Sequence, residues 1–179
     1  MFKKALVCLD GSKLAEEILP YAAEACMLSE NEIILLQVIA TKITIPPPQS
    51  IHAFTLGRKF KPTPTTASDL EGDTTPEAQA GVQLKEIERE QGSAKEYLDR
   101  AARPYRIRGL KIRTLVLEGN AGETIVNYAR TSGVSLIALT THGSGGLKHT
   151  GLGQTAQFVL RESVLPVLII KPGGPPEQP

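Results

Sequence analysis

A glycine-dense stretch runs from Thr140 to Ala156. Gly143, Gly145, Gly146, Gly151 and Gly153 alternate there with polar side chains, including Thr140, His142, Ser144, Lys148, His149, Gln154 and Thr155. It follows an apolar run, Val134 to Leu139, and leads into a helical pattern, so the order reads strand, loop, helix start. Glycine lets a backbone approach a ligand closely and take positive φ, and a helix N-terminus offers unpaired N–H groups with a partial positive charge. The chemistry suited to this order is the holding of an anion, above all a phosphate.

Two better-known phosphate loops do not fit. A Walker A loop needs Gly-Lys-Ser/Thr, whereas Lys148 stands between Leu147 and His149. Gly151, Gly153 and Ala156 match G-x-G-x-x-A, but that fingerprint must follow its strand at once and be answered by an acidic residue about 20 positions on, and neither condition holds. His142 and His149 are loop histidines of the kind that is usually solvated. Ser144 has no His/Asp constellation, and no paired carboxylates or metal-ligand spacing accompany the loop. These residues argue for binding and not for efficient turnover.

The elements that must position the loop are five short apolar runs: Lys4–Leu9, Glu32–Ile39, Lys111–Leu117, Val134–Leu139 and Pro166–Lys171. Helical patterns separate them. The first helix is capped by Ser12, is read as burying Leu14, Ile18, Tyr21, Ala22 and Ala25, and is kinked or locally broken at Pro20. A long amphipathic helix spans Glu77 to Arg103, with Leu84, Ile87, Ala94, Leu98 and Ala101 on one face and Gln91 where an apolar residue would fit. Asn120 to Glu123 has the form of a capping box for a helix that ends at Gly133, and a last helix from Gly153 to Val164 turns Ala156, Val159 and Leu160 inward. The fold class is α/β, a doubly wound five-stranded parallel sheet of order 3-2-1-4-5 with helices on both faces. In that order the first and fourth strands are neighbours at the switch point where ligands bind. Asp10, ending the first strand, and the glycine loop then flank one crevice.

With 179 residues, 41% hydrophobic and 22% charged, the chain reads as one soluble globular domain over residues 1–172. A Pro-rich insertion at about 41–76 carries Arg58, Lys59 and Lys61 and is the place for a protein partner; residues 173–179 read as a disordered tail. A net charge of +1 gives no reason to expect nucleic acid or an anionic membrane surface. No apolar stretch has the length of a membrane span, and Cys8 and Cys26 read as buried thiols, so a cytoplasmic address is expected.

Several segments together resemble the universal stress protein family: LDGS (Leu9 to Ser12), EGNAGETIVNYA (Glu118 to Ala129), THGSGGL (Thr141 to Leu147) and the closing PVLIIK. The family signature is a glycine, two residues, a glycine, nine residues, then glycine followed by serine or threonine. It falls here on Thr140, Gly143, Gly153 and Gln154, so the second and third glycines match while Thr140 replaces the first and Gln154 the hydroxyl residue. The resemblance implies that the loop around Gly143 and Gly153 holds phosphates and ribose, that Asp10 approaches the adenosine moiety and that Val38 offers backbone to the adenine. Gln154 can donate its amide, and Thr155 supplies a hydroxyl one position later. The implied cofactor is ATP or AMP, with or without magnesium. The resemblance also implies a homodimer formed through the Pro166–Lys171 edge strand, an apolar edge that would otherwise stand open. Two readings stay open: a stress-response regulator that binds an adenine nucleotide, and a dimeric interaction or signalling module that has lost ATP binding through Thr140 and Gln154.

Overall fold

The computed structural model describes residues 2–26, 31–40, 76–141 and 151–173, with the side chains of the long helix described from Lys85 onward. The Pro-rich stretch, His142 to Thr150 and the last six residues lie outside the described residues, and Gly143 with them. The elements are β1 (Lys4–Cys8), α1 (Lys13–Glu16), α2 (Leu19–Ala25), β2 (Glu32–Ile39), α3 (Pro76–Ile107), β3 (Lys111–Glu118), α4 (Ala121–Thr131), β4 (Leu136–Thr140), α5 (Gln154–Glu162) and β5 (Val167–Ile170). Contacts within the chain divide it into two compact units, Met1–Thr41 with Glu88–Pro179, and Lys42–Ile87. Of the second unit only residues 76–87, the opening turns of α3, are described.

The sheet of the first unit has the order β3-β2-β1-β4-β5, all pairs parallel. The burial of each strand depends on its place. β1 is central, and Ala5, Leu6 and Val7 are each fully buried, which is why its sequence is apolar at consecutive positions. β3 is an edge, and its Lys111 and Arg113 point outward in alternation with half-buried neighbours. β5, the other edge, is half-buried along its whole length.

Two apolar layers sandwich the sheet. On one face Ala5, Val7, Leu9, Ile33, Leu35, Leu136 and Ala138 meet Ala15, Ile18, Ala22, Tyr97, Leu98 and Ala102 of α1, α2 and α3 and their junctions. On the other, Leu6, Ile34, Leu36, Ile137 and Leu139 meet Ile125, Val126 and Ala129 of α4 and Ala156 and Val159 of α5. Among the described residues no helix is long and apolar enough to cross a membrane.

The expected local break near Pro20 is present: the chain forms two helices, interrupted at Glu17 and Ile18, and Pro20 sits in the opening turn of α2 where its missing N–H is harmless. Three other expectations need correction. The break shifts the helical phase: Ala15, Ile18, Leu19, Ala22 and Cys26 are the buried side chains, Leu14 and Ala25 are only half-buried, and Tyr21 is 43% exposed. The long helix does not stop at Arg103. It runs through Pro104 to Ile107 and is closed by Gly109 (φ 86°) and a bond from Leu110 N to Tyr105 O, the pattern of a Schellman ending. Finally, Leu160 faces outward and is 45% exposed, since the inner face of α5 is already filled by Ala156 and Val159.

Candidate functional site

At the carboxyl edge of the sheet β1 makes its last bond, Leu9 N to Leu36 O at 2.8 Å, and the chain leaves for α1 through Asp10, Gly11 and Ser12. Asp10 folds back on this exit. Its Oδ1 accepts from Ser12 N at 3.0 Å and from Ser12 Oγ at 2.6 Å, an Asx turn closed twice by the same residue. Ser12 Oγ in turn accepts from Ala15 N at 3.1 Å, which caps α1 as its residue type predicts. Gly11 has φ 89°, a backbone conformation that favours glycine, and a side chain there would come within 3.3 Å of Gln37 Nε2. The turn is held to the remainder of the unit by Tyr97 of α3, whose hydroxyl donates to Ser12 O at 3.0 Å.

β2 extends beyond the point where β1 departs. Leu36 O faces β1 and Ile39 O accepts from Gly119 N on the β3 side, so alternation turns the main-chain groups of Val38 toward β1, where Asp10 begins. The Val38 side chain packs with the α4 and α5 layer. Val38 and Asp10 therefore stand on adjacent strand ends.

β4 ends beside them. Thr140 pairs with Ile170, and strand alternation puts it on the same face as Leu136 and Ala138. It is 8% exposed, so the side chain that replaces the first signature glycine is taken into the interior. The chain continues to Thr141, whose N donates to Ile170 O, and Thr141 O accepts from Gly153 N, both at 2.8 Å. A Cβ on Gly153 would lie 2.9 Å from Thr141 O, closer than real contacts allow. The glycine at this position is thus demanded by main chain packed on main chain. Gly153 is the N-cap of α5 and has no side chain with which to satisfy the opening amides of that helix, so the N–H groups of Gln154, Thr155 and Ala156 open on the carboxyl edge. Gln154 is exposed and Thr155 half-buried.

Asp10, Val38, Thr140, Gly153, Gln154 and Thr155 all lie at the carboxyl edge, on β1, β2, β4 and the start of α5. Tyr97 is not among the site residues that the sequence suggests. The available signal was its place in the helical series Ala94, Leu98 and Ala101, next to which an aromatic residue reads as core.

The sequence model of the universal stress protein family matches residues 53–171. The chain belongs to the universal stress protein family. Universal stress protein YxiE of Bacillus subtilis is 28% identical over 172 residues, 96% of this chain and all of the relative. Universal stress protein MJ0577 of Methanocaldococcus jannaschii is 28% identical over 173 residues and 96% of each chain. The solved structure of MJ0577 superposes with a TM-score of 0.72 at 23% identity, covering 98% of this universal stress protein and 99% of the other. Two solved structures with the same fold carry nucleotides: an Arabidopsis thaliana family member with AMP bound (TM-score 0.57, 14% identity, 98% and 97% coverage), and a universal stress protein in complex with cAMP (TM-score 0.54, 16% identity, 95% and 97% coverage).

Proposed function

We propose that this universal stress protein is a cytoplasmic stress-response regulator that binds an adenine nucleotide, ATP or AMP, at the switch point between β1 and β4. The observation that carries the reading is the convergence of three features on one sheet edge: the Asp10 turn, the main chain of Val38, and the start of α5 at Gly153 and Gln154. In this reading Asp10 accepts hydrogen bonds from the ribose or adenine, and Val38 main chain meets the base edge. The amides of Gln154 and Thr155 and the residues around Gly143 hold phosphate oxygens, with or without magnesium. The burial of Thr140 supports the reading, because the extra side chain is housed in the interior and leaves the edge open. So do the nucleotides carried by the AMP and cAMP complexes of the same fold.

Calorimetric titration with ATP and magnesium, and separately with AMP, tests it. Saturable binding that weakens at least about tenfold in Asp10→Ala is the expected outcome, a charge-assisted bond being worth roughly 1.5–3 kcal/mol. Unchanged binding in that variant removes Asp10 from the site, and no heat with ATP, AMP or cAMP overturns the reading.

A second reading, a dimeric interaction module, has its own observation. Among the described residues Val164 is 82% exposed and Leu160 45% exposed, both close in sequence to the open edge strand β5. A homodimer across Pro166–Lys171 would cover that apolar ground. Analytical ultracentrifugation at micromolar concentration is expected to give twice the 19.3 kDa chain mass, and a monomer sinks this part. The segment at about 41–76 is the proposed place for a further protein partner.

A further inference from the structure

The Asp10 turn is anchored before and after, by the bond from Leu9 N to Leu36 O and by the buried Ala15, while its own residues lie at the surface. α1 has only four residues, too few to be stable on its own, and Asp10, Gly11 and Lys13 are solvent-exposed. Its Asx turn fixes the shape of Asp10 to Ser12 but does not fix where that shape sits. A neighbouring side chain of β2 and a hydrogen bond from α3 reach it there. Gln37 lies beneath Gly11, with Nε2 3.3 Å from where a side chain would begin. From α3, 85 positions along the chain, the Tyr97 hydroxyl donates to the main-chain carbonyl of Ser12 at 3.0 Å. Tyr97 is 7% exposed, and its ring is packed among Leu98, Ala101 and the strand residues of that face, so the donor cannot move far from its acceptor. Burial, and the negative charges of Glu16 and Asp10, push the phenol ionisation far upward, which keeps the hydroxyl proton available to donate at any ordinary pH.

We infer that Tyr97 is a positioning residue: its hydroxyl sets the location of the Ser12 main chain, Ser12 sets the Asp10 carboxylate, and the nucleotide affinity of the site depends on that chain of bonds. The last link rests on the nucleotide-binding reading above, while the first two are properties of the unliganded protein. Tyr97→Phe removes the hydroxyl and keeps the ring, so the core is left filled.

Two measurements separate the links. Amide hydrogen exchange by NMR, without ligand, is expected to show the Ser12 N–H exchanging about fivefold faster in Tyr97→Phe, the worth of one ordinary hydrogen bond. The Ile34 amide in the middle of β2 should stay unchanged. Equal Ser12 exchange in the two proteins overturns the inference, whether or not nucleotide binds. Titration with ATP is then made on the parent, Tyr97→Phe, Asp10→Ala and the double variant. About fivefold weaker binding in Tyr97→Phe, with no further loss when the change is added to Asp10→Ala, is the coupling expected of a residue that acts through Asp10. An equal loss in both backgrounds assigns Tyr97 a merely structural role and overturns the inference. If the parent binds no nucleotide, the functional reading and the affinity link fail together. Faster Ser12 exchange would then uphold the positioning of the turn alone.

Discussion

Single residues at this edge differ in why they are what they are. Gly153 and Gly11 occupy comparable places, each at a junction between strand and helix, but only Gly11 needs a left-handed backbone, at φ 89°. Gly153 has an ordinary φ of −61° and is required by its contact with Thr141 O. Gly153→Ala is therefore expected to destabilise the fold by about 1–3 kcal/mol through overpacking against rigid main chain, read as a lower urea midpoint with an unchanged slope. Gly122 is held in a similar way, since a Cβ there would lie 2.7 Å from Phe158 Cδ1. The sequence marks all three glycines without distinguishing them. It could not foretell that Thr140 would be absorbed by the interior, because the cover over both faces of β4 comes from elements distant in sequence. Gln91, out of place in an apolar series, proves to be exposed and to donate to Glu118, a partner 27 positions away that no local pattern announces.

Whole elements were more legible, because each is written in a short periodic code. β2 occupies the expected residues, and the strand order agrees with five apolar runs separated by helical patterns. The cap at Asn120 is present as its residue type predicts, its side chain accepting from Glu123 N at 3.3 Å, and Gly133 at φ 68° stands just past the helix end. Asn120→Ala should lower stability by about 1 kcal/mol, measured as a shift in the denaturation midpoint, because α4 lies over the central sheet and any fraying of its first turn is felt by the core. Proline acts in two ways at this scale. Pro20 coincides with a real break while Pro104 does not, and the cause lies in the neighbouring turns: Gly109 closes α3 with side chains of its last turns already anchored, whereas α1 is too short to continue. Tertiary packing decides between two outcomes that local propensity leaves equal.

At the scale of the molecule, the fold buries, wholly or in part, thiols and phenols that release their protons more readily once the chain opens. Burial pushes the Cys8 thiol from 9.0 up to about 12 and raises Cys26 as well, and the Tyr97 and Tyr105 phenols move upward for the same first cause. A raised folded value means that the unfolded chain releases these protons first. The stability associated with them is complete below about pH 9 and is lost as pH climbs toward 12. Urea midpoints should thus be level near neutrality and fall beyond about pH 9, with Cys8→Ala flattening the decline; a midpoint independent of pH in that range would refute the assignment. The same central strands bring the ends of β1, β2 and β4 to one edge, so that residues as distant in sequence as Asp10 and Gln154 lie on the same edge of the sheet. The short bond from Gly153 N to Thr141 O gives that edge a further property. It closes the ends of residues 142–152 as a clasp closes a bracelet, independently of what is strung between them. Since doubling a closed loop adds only about 0.6 kcal/mol of chain entropy, residues inserted between Thr141 and Gly153 cost the fold little so long as the clasp itself is kept.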